Sequence, residues 1–321
     1  MNDSLLVKAK KLKNAEIHIR KASSPKPFVK WAGGKGQLLS QLESLLPDDF
    51  ATRQDIVYVE PFVGGGAMLF HVLSRYPNIK RAIVNDLNRD LIVCYKIIRD
   101  APMRLVSMLH SLQIQYHKCN DEESKKDMYI NKRSRYNSRQ ADELETAALF
   151  IFLNHTCFNG LYRVNSTGQY NVAFGKAVSP RICDEITILA DNRILQRVEL
   201  HHGDFEEITK TAERNHFFFL DPPYRPLTQS AAFTAYSKEG FGESDQKRLA
   251  ALCRRLATVG CRWLLTNSDP HNVDVSDMFF ERLYSGFYIH RIYASRMINS
   301  NGSGRGKITE LAIRNYGMES T

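Results

Sequence analysis

The sequence predicts an α/β protein with a doubly wound, Rossmann-like sheet, and two patterns carry that prediction. The first is a strand at 55–60, a glycine-rich turn at 64–66, a helix from Met68 onward, and a second strand at 81–84 that leads into Asp86. Elements in this order form the nucleoside-binding half of a doubly wound fold. The turn lacks strict G-x-G-x-x-G spacing, which favours an adenosine-containing cofactor other than a dinucleotide.

The second pattern is an acidic side chain after each of four predicted strands. These side chains are Glu60, Asp86, Asp204 and Asp221. The carboxyl ends of parallel strands lie at one edge of a sheet, where ligands of open α/β sheets bind. We therefore expect the four carboxylates to meet in one crevice.

The remaining elements follow from apolar periodicity and from the positions of glycine and proline. Helices are predicted at 37–46, through most of 87–153, at 181–195 and at 244–258, and strands at 198–200, 216–220, 262–267 and 307–316. Residues 1–25 are basic and lack apolar periodicity, which predicts a flexible arm.

Composition narrows the class of protein. The 321 residues carry a net charge of +9, which indicates a polyanionic partner such as nucleic acid. The six cysteines are scattered without a C-x-x-C pair, which argues against a zinc site and a disulfide framework. No apolar run approaches the ~18 residues of a membrane helix, and no signal-peptide core is evident. We expect a cytoplasmic protein with no membrane association and no metal.

A second glycine loop, at 33–36, precedes the predicted helix at 37–46. Backbone N–H groups at such a helix start can bind an anion. Lys35 is followed by Gly36 in place of serine or threonine, so the loop does not match the P-loop of nucleotide triphosphatases.

Asp221 opens the tetrapeptide Asp-Pro-Pro-Tyr, which ends at Tyr224. The prolines fix the backbone and remove two N–H donors, so the carbonyls stay free to accept hydrogen bonds. A flat ring that bears an amino group could bind at this strand end: its amino group would donate to the carboxylate and a free carbonyl, and its face would stack on the aromatic ring. The alternative is an ordinary proline turn with a surface tyrosine.

Residues 154–175 are predicted to form a β-hairpin with its turn at 166–168. The segment is polar and aromatic, and Arg163 lies near its start, so it could enter a DNA groove. The alternative is an ordinary surface hairpin.

Five stretches in chain order carry a family resemblance. They are KWAGGK at 30–35, EPFVGGG at 60–66, NDLN at 85–88, FNGLYR at 158–163 with NVAFG at 171–175, and DPPY at 221–224. On these motifs and their order, the chain from 27 to 316 resembles the Dam family of DNA adenine N6-methyltransferases, the D12 class, in its alpha group.

The resemblance implies a site-specific adenine DNA methyltransferase that takes its methyl group from S-adenosylmethionine. Such an enzyme flips an adenine out of double-stranded DNA within GATC or a related short site. The implied cofactor residues are Trp31, Lys35, Glu60, Phe62, Gly64, Gly66, Asp86, Asp204 and Asp221. The implied catalytic residues are Asp221, Pro222 and Tyr224, and the implied DNA contacts are Lys30, Asn159, Leu161 and Arg163. Ala173 stands where GATC-specific members usually have proline.

The resemblance also divides the chain into domains. Residues 26–89 and 196–321 would form the catalytic domain, and 90–195 a mostly helical target-recognition domain that carries the hairpin. Whether a cognate restriction endonuclease is encoded nearby stays open. Two alternatives for the function also stay open: an adenine methyltransferase that acts on RNA, and a non-catalytic DNA-binding protein on a methyltransferase fold.

Overall fold

The structure is a computed structural model that describes residues 24–227, 241–295 and 307–317. The predicted arm at 1–25 therefore lies outside the described residues, apart from its last two. The α-helices in these ranges are α1 (Leu39–Glu43), α2 (Ala67–Arg75), α3 (Arg89–Asp100), α4 (Pro102–His117), α5 (Glu122–Asn137), α6 (Glu143–Thr156), α7 (Glu185–Leu195), α8 (Glu243–Val259) and α9 (Phe279–Leu283). The strands are β1 (Val57–Glu60), β2 (Arg81–Asp86), β3 (Val198–His202), β4 (His216–Leu220), β5 (Arg262–Ser268), β6 (Tyr288–Ser295) and β7 (Lys307–Arg314). No helix in the described ranges is long and apolar enough to cross a membrane.

The seven strands form one sheet in the order β3-β2-β1-β4-β5-β7-β6. Strands β1 to β5 pair in parallel, and β7 runs antiparallel to both β5 and β6. The chain first builds outward from β1 to β3 and then continues on the other side of β1 with β4. Ligands bind at such a switch point in doubly wound sheets. The predicted fold class is confirmed.

The central strands are apolar because both faces of the sheet are covered. In β4, Phe217 and Phe219 face one hydrophobic core, and Phe218 and Leu220 face the other. This alternation is the two-residue period of a strand. Every residue of β4 and of β1 is buried. A ligand can therefore approach these strands only at their ends, and Asp221 follows directly after the carboxyl end of β4.

Between β2 and β3 the chain forms the helices α3 to α6, as the sequence predicts for 87–153, and then α7, which corresponds to the helix predicted at 181–195. The central helix is α6, which packs against α3, α4 and α5. Its residues from Ala147 to Asn154 are all buried, which explains its long apolar run. The Asp142 side chain caps its start by accepting from the Glu145 amide at 2.8 Å.

The segment after α6 turns back on itself, but with isolated bridges in place of a continuous ladder. The antiparallel bridges join Cys157 to Phe174 and Val164 to Tyr170. Side chains of α5 bond much of the returning arm: the Tyr170 amide donates to Asn137 Oδ1 at 2.9 Å, and the Tyr129 hydroxyl donates to the Val172 carbonyl at 2.8 Å. The predicted hairpin therefore turns back as expected, but isolated bridges and side chains of α5 hold its two arms in place of a continuous ladder.

Several boundaries differ from the prediction. The sequence does not predict β6 or α9, and the helix expected at 37–46 is limited to α1. The helix expected from 181 begins at Glu185, because the Asp184 side chain caps it by accepting from the Thr187 amide at 3.4 Å. The sequence does not predict β6 because it is a strand at the edge of the sheet, and its adjacent polar residues His290 and Arg291 interrupt the alternation of apolar and polar residues.

Candidate active site

A large crevice opens at the carboxyl edge of β1, β2 and β4. Its volume is about 2280 Å³, against ~300–1,000 Å³ for a typical small-molecule site. A nucleoside cofactor and a second flat ring can therefore occupy it together. The predicted cofactor and catalytic residues that line it are Trp31, Lys35, Glu60, Phe62, Gly64, Gly66, Asp86, Asp204, Asp221, Pro222 and Tyr224. The four strand-end acids thus meet in one crevice, as the strand pattern predicts.

The glycine turn after β1 exposes bare backbone to the crevice. Gly64 and Gly66 have positive φ angles of 49° and 75°, a region that favours glycine. A Cβ on Gly66 would lie 2.5 Å from the Tyr95 hydroxyl oxygen, and a Cβ on Gly64 would lie 2.9 Å from the Trp31 indole. The Tyr95 hydroxyl also donates to the Gly64 carbonyl at 2.9 Å. Tyr95 is thus part of the site, although no sequence motif marks it.

Trp31 connects the glycine turn with the segment predicted to contact DNA. Its indole stacks on Tyr162, with ring centroids 5.7 Å apart and planes at 27°, and on Phe150 at 6.2 Å and 24°. The same indole lies against Gly64 and Gly65. The position of Trp31 therefore depends on both regions at once.

Asp86 lies at the end of β2 and faces the glycine turn. Its Oδ2 accepts from the Gly64 amide at 2.9 Å, and its Oδ1 accepts from the Asn88 amide at 2.8 Å. Burial raises the pKa of Asp86, and the two backbone hydrogen bonds oppose that rise. Each oxygen keeps a further lone pair. The carboxylate could therefore accept both hydroxyls of a ribose.

Glu60 is the most deeply buried of the four acids, with 2% of its surface exposed. The Tyr58 hydroxyl donates to its Oε1 at 2.5 Å. Burial raises the pKa of Glu60 well above its usual range, the Tyr58 hydrogen bond opposes that rise, and the Asp221 charge adds to it. A fixed carboxyl group therefore lies beside the glycine turn, within electrostatic reach of Asp221.

Asp221 is held by a buried lysine and by a threonine of the neighbouring strand. Lys35 Nζ lies 2.9 Å from Asp221 Oδ1, and the lysine side chain is 4% exposed. The Thr266 hydroxyl donates to the same oxygen at 2.6 Å. Lys35 Nζ also donates to the Gly33 carbonyl at 2.6 Å and lies 4.6 Å from the Tyr224 ring centroid. Lys35 is therefore in contact with the predicted catalytic carboxylate.

The rest of the tetrapeptide is anchored from α8 and β7. The Tyr224 hydroxyl donates to Glu310 Oε2 at 2.5 Å, and the Pro223 carbonyl accepts from Gln246 Nε2 at 3.3 Å. The Pro222 carbonyl has no hydrogen-bond partner in the part of the chain that the structure describes. The sequence does not predict that Gln246 and Glu310 anchor the tetrapeptide, because both are polar residues outside any motif and distant from it in the sequence.

Asp204 borders an aromatic corner of the crevice. The Phe62 and Phe205 ring centroids lie 5.1 Å apart, and Phe241 lies 5.8 Å from the first and 5.9 Å from the second. Asp204 Oδ1 accepts from Arg248 at 3.0 Å. Flat apolar surfaces beside a carboxylate suit a purine ring with an amino group.

The four residues predicted to contact DNA lie outside the crevice wall that the structure describes. They are Lys30, Asn159, Leu161 and Arg163. Asn154 joins Lys30 to the loop that carries the other three: it accepts from the Lys30 amide at 2.8 Å and donates to the carbonyls of Lys30 and Gly160, each at 2.9 Å. Arg163 is exposed, and its Nε donates to Asn171 Oδ1 at 2.8 Å.

The described residues offer neither a metal-binding cluster nor a disulfide. They contain no group of three or more His, Cys, Asp or Glu side chains placed to hold a metal ion. All six cysteines lie in the described ranges with free thiols.

The sequence matches a family model described as D12 class N6 adenine-specific DNA methyltransferase over residues 31–298. It is 43% identical to the type II methyltransferase M.MjaIII of Methanocaldococcus jannaschii, over 91% of this chain and 99% of that protein. It is 37% identical to the type II methyltransferase M1.LlaDCHI of Lactococcus lactis subsp. cremoris, over 91% and 96%. It is 31% identical to the DNA adenine methylase of Escherichia coli K12, over 88% and 93%. The chain therefore belongs to the D12 class of N6 adenine-specific DNA methyltransferases.

Proposed function

We propose that this chain transfers a methyl group from S-adenosylmethionine to the N6 amino group of an adenine flipped out of double-stranded DNA. The observation that carries the proposal is the meeting, in one crevice, of a bare glycine turn, the Asp86 carboxylate and the tetrapeptide at 221–224. Family membership supports adenine in DNA as the target, because relatives are named DNA adenine methylases.

The crevice residues fit S-adenosylmethionine. The backbone of Gly64 and Gly66 lines the crevice beside the place for the methionine part, and Asp86 has lone pairs for ribose hydroxyls. The corner at Phe62 and Phe205 suits the adenine ring. When bound, this cofactor supplies a methyl group on an electrophilic sulfonium.

The protein's own task is to prepare a weak nucleophile, because the lone pair of adenine N6 is delocalised into the ring. Asp221 Oδ2 and the Pro222 carbonyl have no hydrogen-bond partner among the described residues, so each could accept one N–H of the amino group. Two fixed acceptors would favour a more tetrahedral nitrogen, which localises the lone pair on N6 and directs it toward the methyl donor. The Lys35 ammonium lies 2.9 Å from the other oxygen, Asp221 Oδ1. The proton can leave after the transfer, so a strong general base is unnecessary.

Tyr224→Phe is expected to be much milder than Tyr224→Ala. Extruding a base costs a few kcal/mol, and stacking on an aromatic ring returns ~1–3 kcal/mol, which needs only the ring. The alanine variant should lose about 10- to 100-fold in kcat/KM, whereas the phenylalanine variant keeps the ring and loses the hydroxyl contacts with Glu310 and Thr266. Single-turnover methyl transfer to one duplex measures both. Equal losses would assign the effect to the hydroxyl.

We propose GATC or a related short sequence as the recognised site. Lys30, Leu161 and Arg163 match positions that face bases in GATC-specific members of the family, and Ala173 is the departure from their pattern. The Arg163 guanidinium donates from Nε and Nη2 to Asn171, which fixes its plane before DNA binds. A fixed, exposed guanidinium is suited to the guanine edge in the major groove.

Arg163→Ala is expected to relax base discrimination at one position of the site by ~1–3 kcal/mol. Competition between duplexes that carry every single base change measures the loss. Arg181→Ala is the matched control, because Arg181 is also basic and exposed but is not a predicted base contact. A uniform loss over all duplexes would instead mark Arg163 as a phosphate contact.

Methylation with a tritiated methyl donor tests the function itself. We expect label in N6-methyladenine of duplex DNA, and modified-base sequencing of treated genomic DNA then gives the site. Label in RNA of the same sequence, but not in DNA, would favour the RNA alternative. No label, together with no calorimetric binding of S-adenosylmethionine, would favour a non-catalytic DNA-binding protein.

We also propose that a cognate restriction endonuclease is encoded near this chain. Two of the relatives are named type II methyltransferases. Inspection of the neighbouring genes tests this, and a chain without an adjacent endonuclease gene would be a solitary methyltransferase.

A further inference from the structure

Thr266 lies on β5, next to the strand that leads into the catalytic tetrapeptide. β4 and β5 are parallel and Leu220 pairs with Leu265, so the next residues along, Asp221 and Thr266, are neighbours. Thr266 is fully buried, and its hydroxyl donates to Asp221 Oδ1 at 2.6 Å. A hydrogen bond of this length to a carboxylate is charge-assisted and strongly directional.

Among the described residues, the hydrogen bond and the ion pair of the Asp221 carboxylate go to the same oxygen. Lys35 Nζ lies 2.9 Å from Oδ1, the oxygen that also accepts from Thr266. Oδ2 has no hydrogen-bond partner among the residues that the structure describes, and the side chain of Asp221 is 21% exposed. The carboxylate therefore presents one bonded oxygen to the protein and one open oxygen to the crevice.

We infer that Thr266 is a positioning residue, which with Lys35 reserves Asp221 Oδ2 for the amino group of the target adenine. The inference rests on the proposed function. The barrier to rotation about the Cβ–Cγ bond of an aspartate is low. Because a lysine side chain is long and flexible, Lys35 alone would leave the plane of the carboxylate poorly fixed. Two donors from different directions fix that plane. The Thr266 side chain also interacts with Tyr224, whose hydroxyl donates to Glu310, so the Tyr224→Phe variant measures that second contact by itself.

The consequence is a loss in the transfer step and not in binding. Asp221 Oδ2 and the Pro222 carbonyl must both meet one amino group, whose two N–H bonds lie in fixed directions. A carboxylate that rotates reaches this arrangement less often, although cofactor and duplex contacts elsewhere are unchanged. The expected signature is a lower kcat with little change in KM.

Thr266→Val removes the hydroxyl at nearly constant volume, and Thr266→Ser keeps it. On the full chain, we expect Thr266→Val to lower single-turnover methyl transfer on the order of tenfold. Calorimetric affinity for S-adenosylmethionine and duplex affinity should stay within about threefold of the unsubstituted chain. Thr266→Ser should restore transfer to within about threefold, because it returns the donor.

Equal rates for the valine and serine variants would overturn the inference, as would a loss of cofactor affinity in parallel with the rate. Thr266→Ala is a second hydroxyl-free variant in case valine does not fold, and its thermal midpoint is compared with that of the serine variant. An unsubstituted chain that methylates no DNA would contradict the proposed function. An active chain that tolerates the loss of the hydroxyl would contradict only the role of Thr266.

Discussion

Asp221→Ala abolishes methyl transfer while duplex binding is largely retained, if Asp221 accepts from the target amino group. Loss of one fixed hydrogen-bonding group at a reacting centre costs about 10²–10³ in kcat. The structure adds a complication, because alanine leaves the Lys35 ammonium, only 4% exposed, without its carboxylate. Such an orphaned charge is strongly destabilising. Asp221→Asn is therefore the cleaner variant, because it keeps the volume and its amide oxygen can still accept from Lys35 and Thr266.

Single-turnover rates, duplex affinity and the thermal midpoint should be measured together for the Asp221 variants. Asp184→Asn is the matched control: Asp184 is 23% exposed against 21% for Asp221, and each pairs with a lysine, but Asp184 caps α7 outside the crevice. Asparagine is also a good cap, so the control should keep its activity. Loss of duplex binding in proportion to the rate would remove Asp221 from the transfer step.

Gly66→Ala is expected to destabilise the folded protein and weaken its binding of S-adenosylmethionine. Gly66 has a φ of 75°, where a Cβ costs ~1–2 kcal/mol. That Cβ would also lie 2.5 Å from the Tyr95 hydroxyl oxygen and 3.1 Å from the Phe70 ring, and crowding of this kind typically costs ~1–3 kcal/mol. Tyr95 must then move, and the Gly64 carbonyl loses its donor. Thermal melting with and without cofactor measures both losses.

Gly168→Ala separates the two causes. Gly168 has nearly the same φ, 78°, but a Cβ there would meet no atom within 4 Å. The control therefore carries the backbone strain without the crowding, and it should melt between the unsubstituted chain and Gly66→Ala. Equal destabilisation of the two alanine variants would mean that crowding at Tyr95 contributes nothing.

The sheet and its acidic edge are predictable from the sequence, because their signals are local. An apolar run, a glycine turn and an acid within about 30 residues are sufficient to place Glu60, Asp86 and Asp221 at strand ends. The contacts that hold these groups cannot be predicted in the same way. Thr266 and Glu310 reach the tetrapeptide only through the register of β5 and β7, and register between distant strands leaves no local trace.

The loop after α6 shows a second limit. Its sequence contains a turn and short apolar runs, which predict paired strands. Backbone hydrogen bonds do join the two arms, as between the Asn171 amide and the Arg163 carbonyl, but they form no continuous ladder, and side chains such as Asn137 and Tyr129 of α5 bond other backbone groups. Nothing in the sequence shows that a polar side chain on a helix will form a hydrogen bond with the backbone of this loop. The position of the loop can therefore be predicted, but its hydrogen-bond partners cannot.

β7 is the last described strand along the chain, yet it lies inside the sheet between β5 and β6. During synthesis the N-terminal parts of a protein fold first, so the edge of β5 must wait for residues beyond 307 before its hydrogen bonds are met. Until then the Tyr224 hydroxyl also lacks Glu310. An unpaired strand edge can join that of another chain. A chain released before β7 is synthesised would therefore be inactive and prone to aggregation.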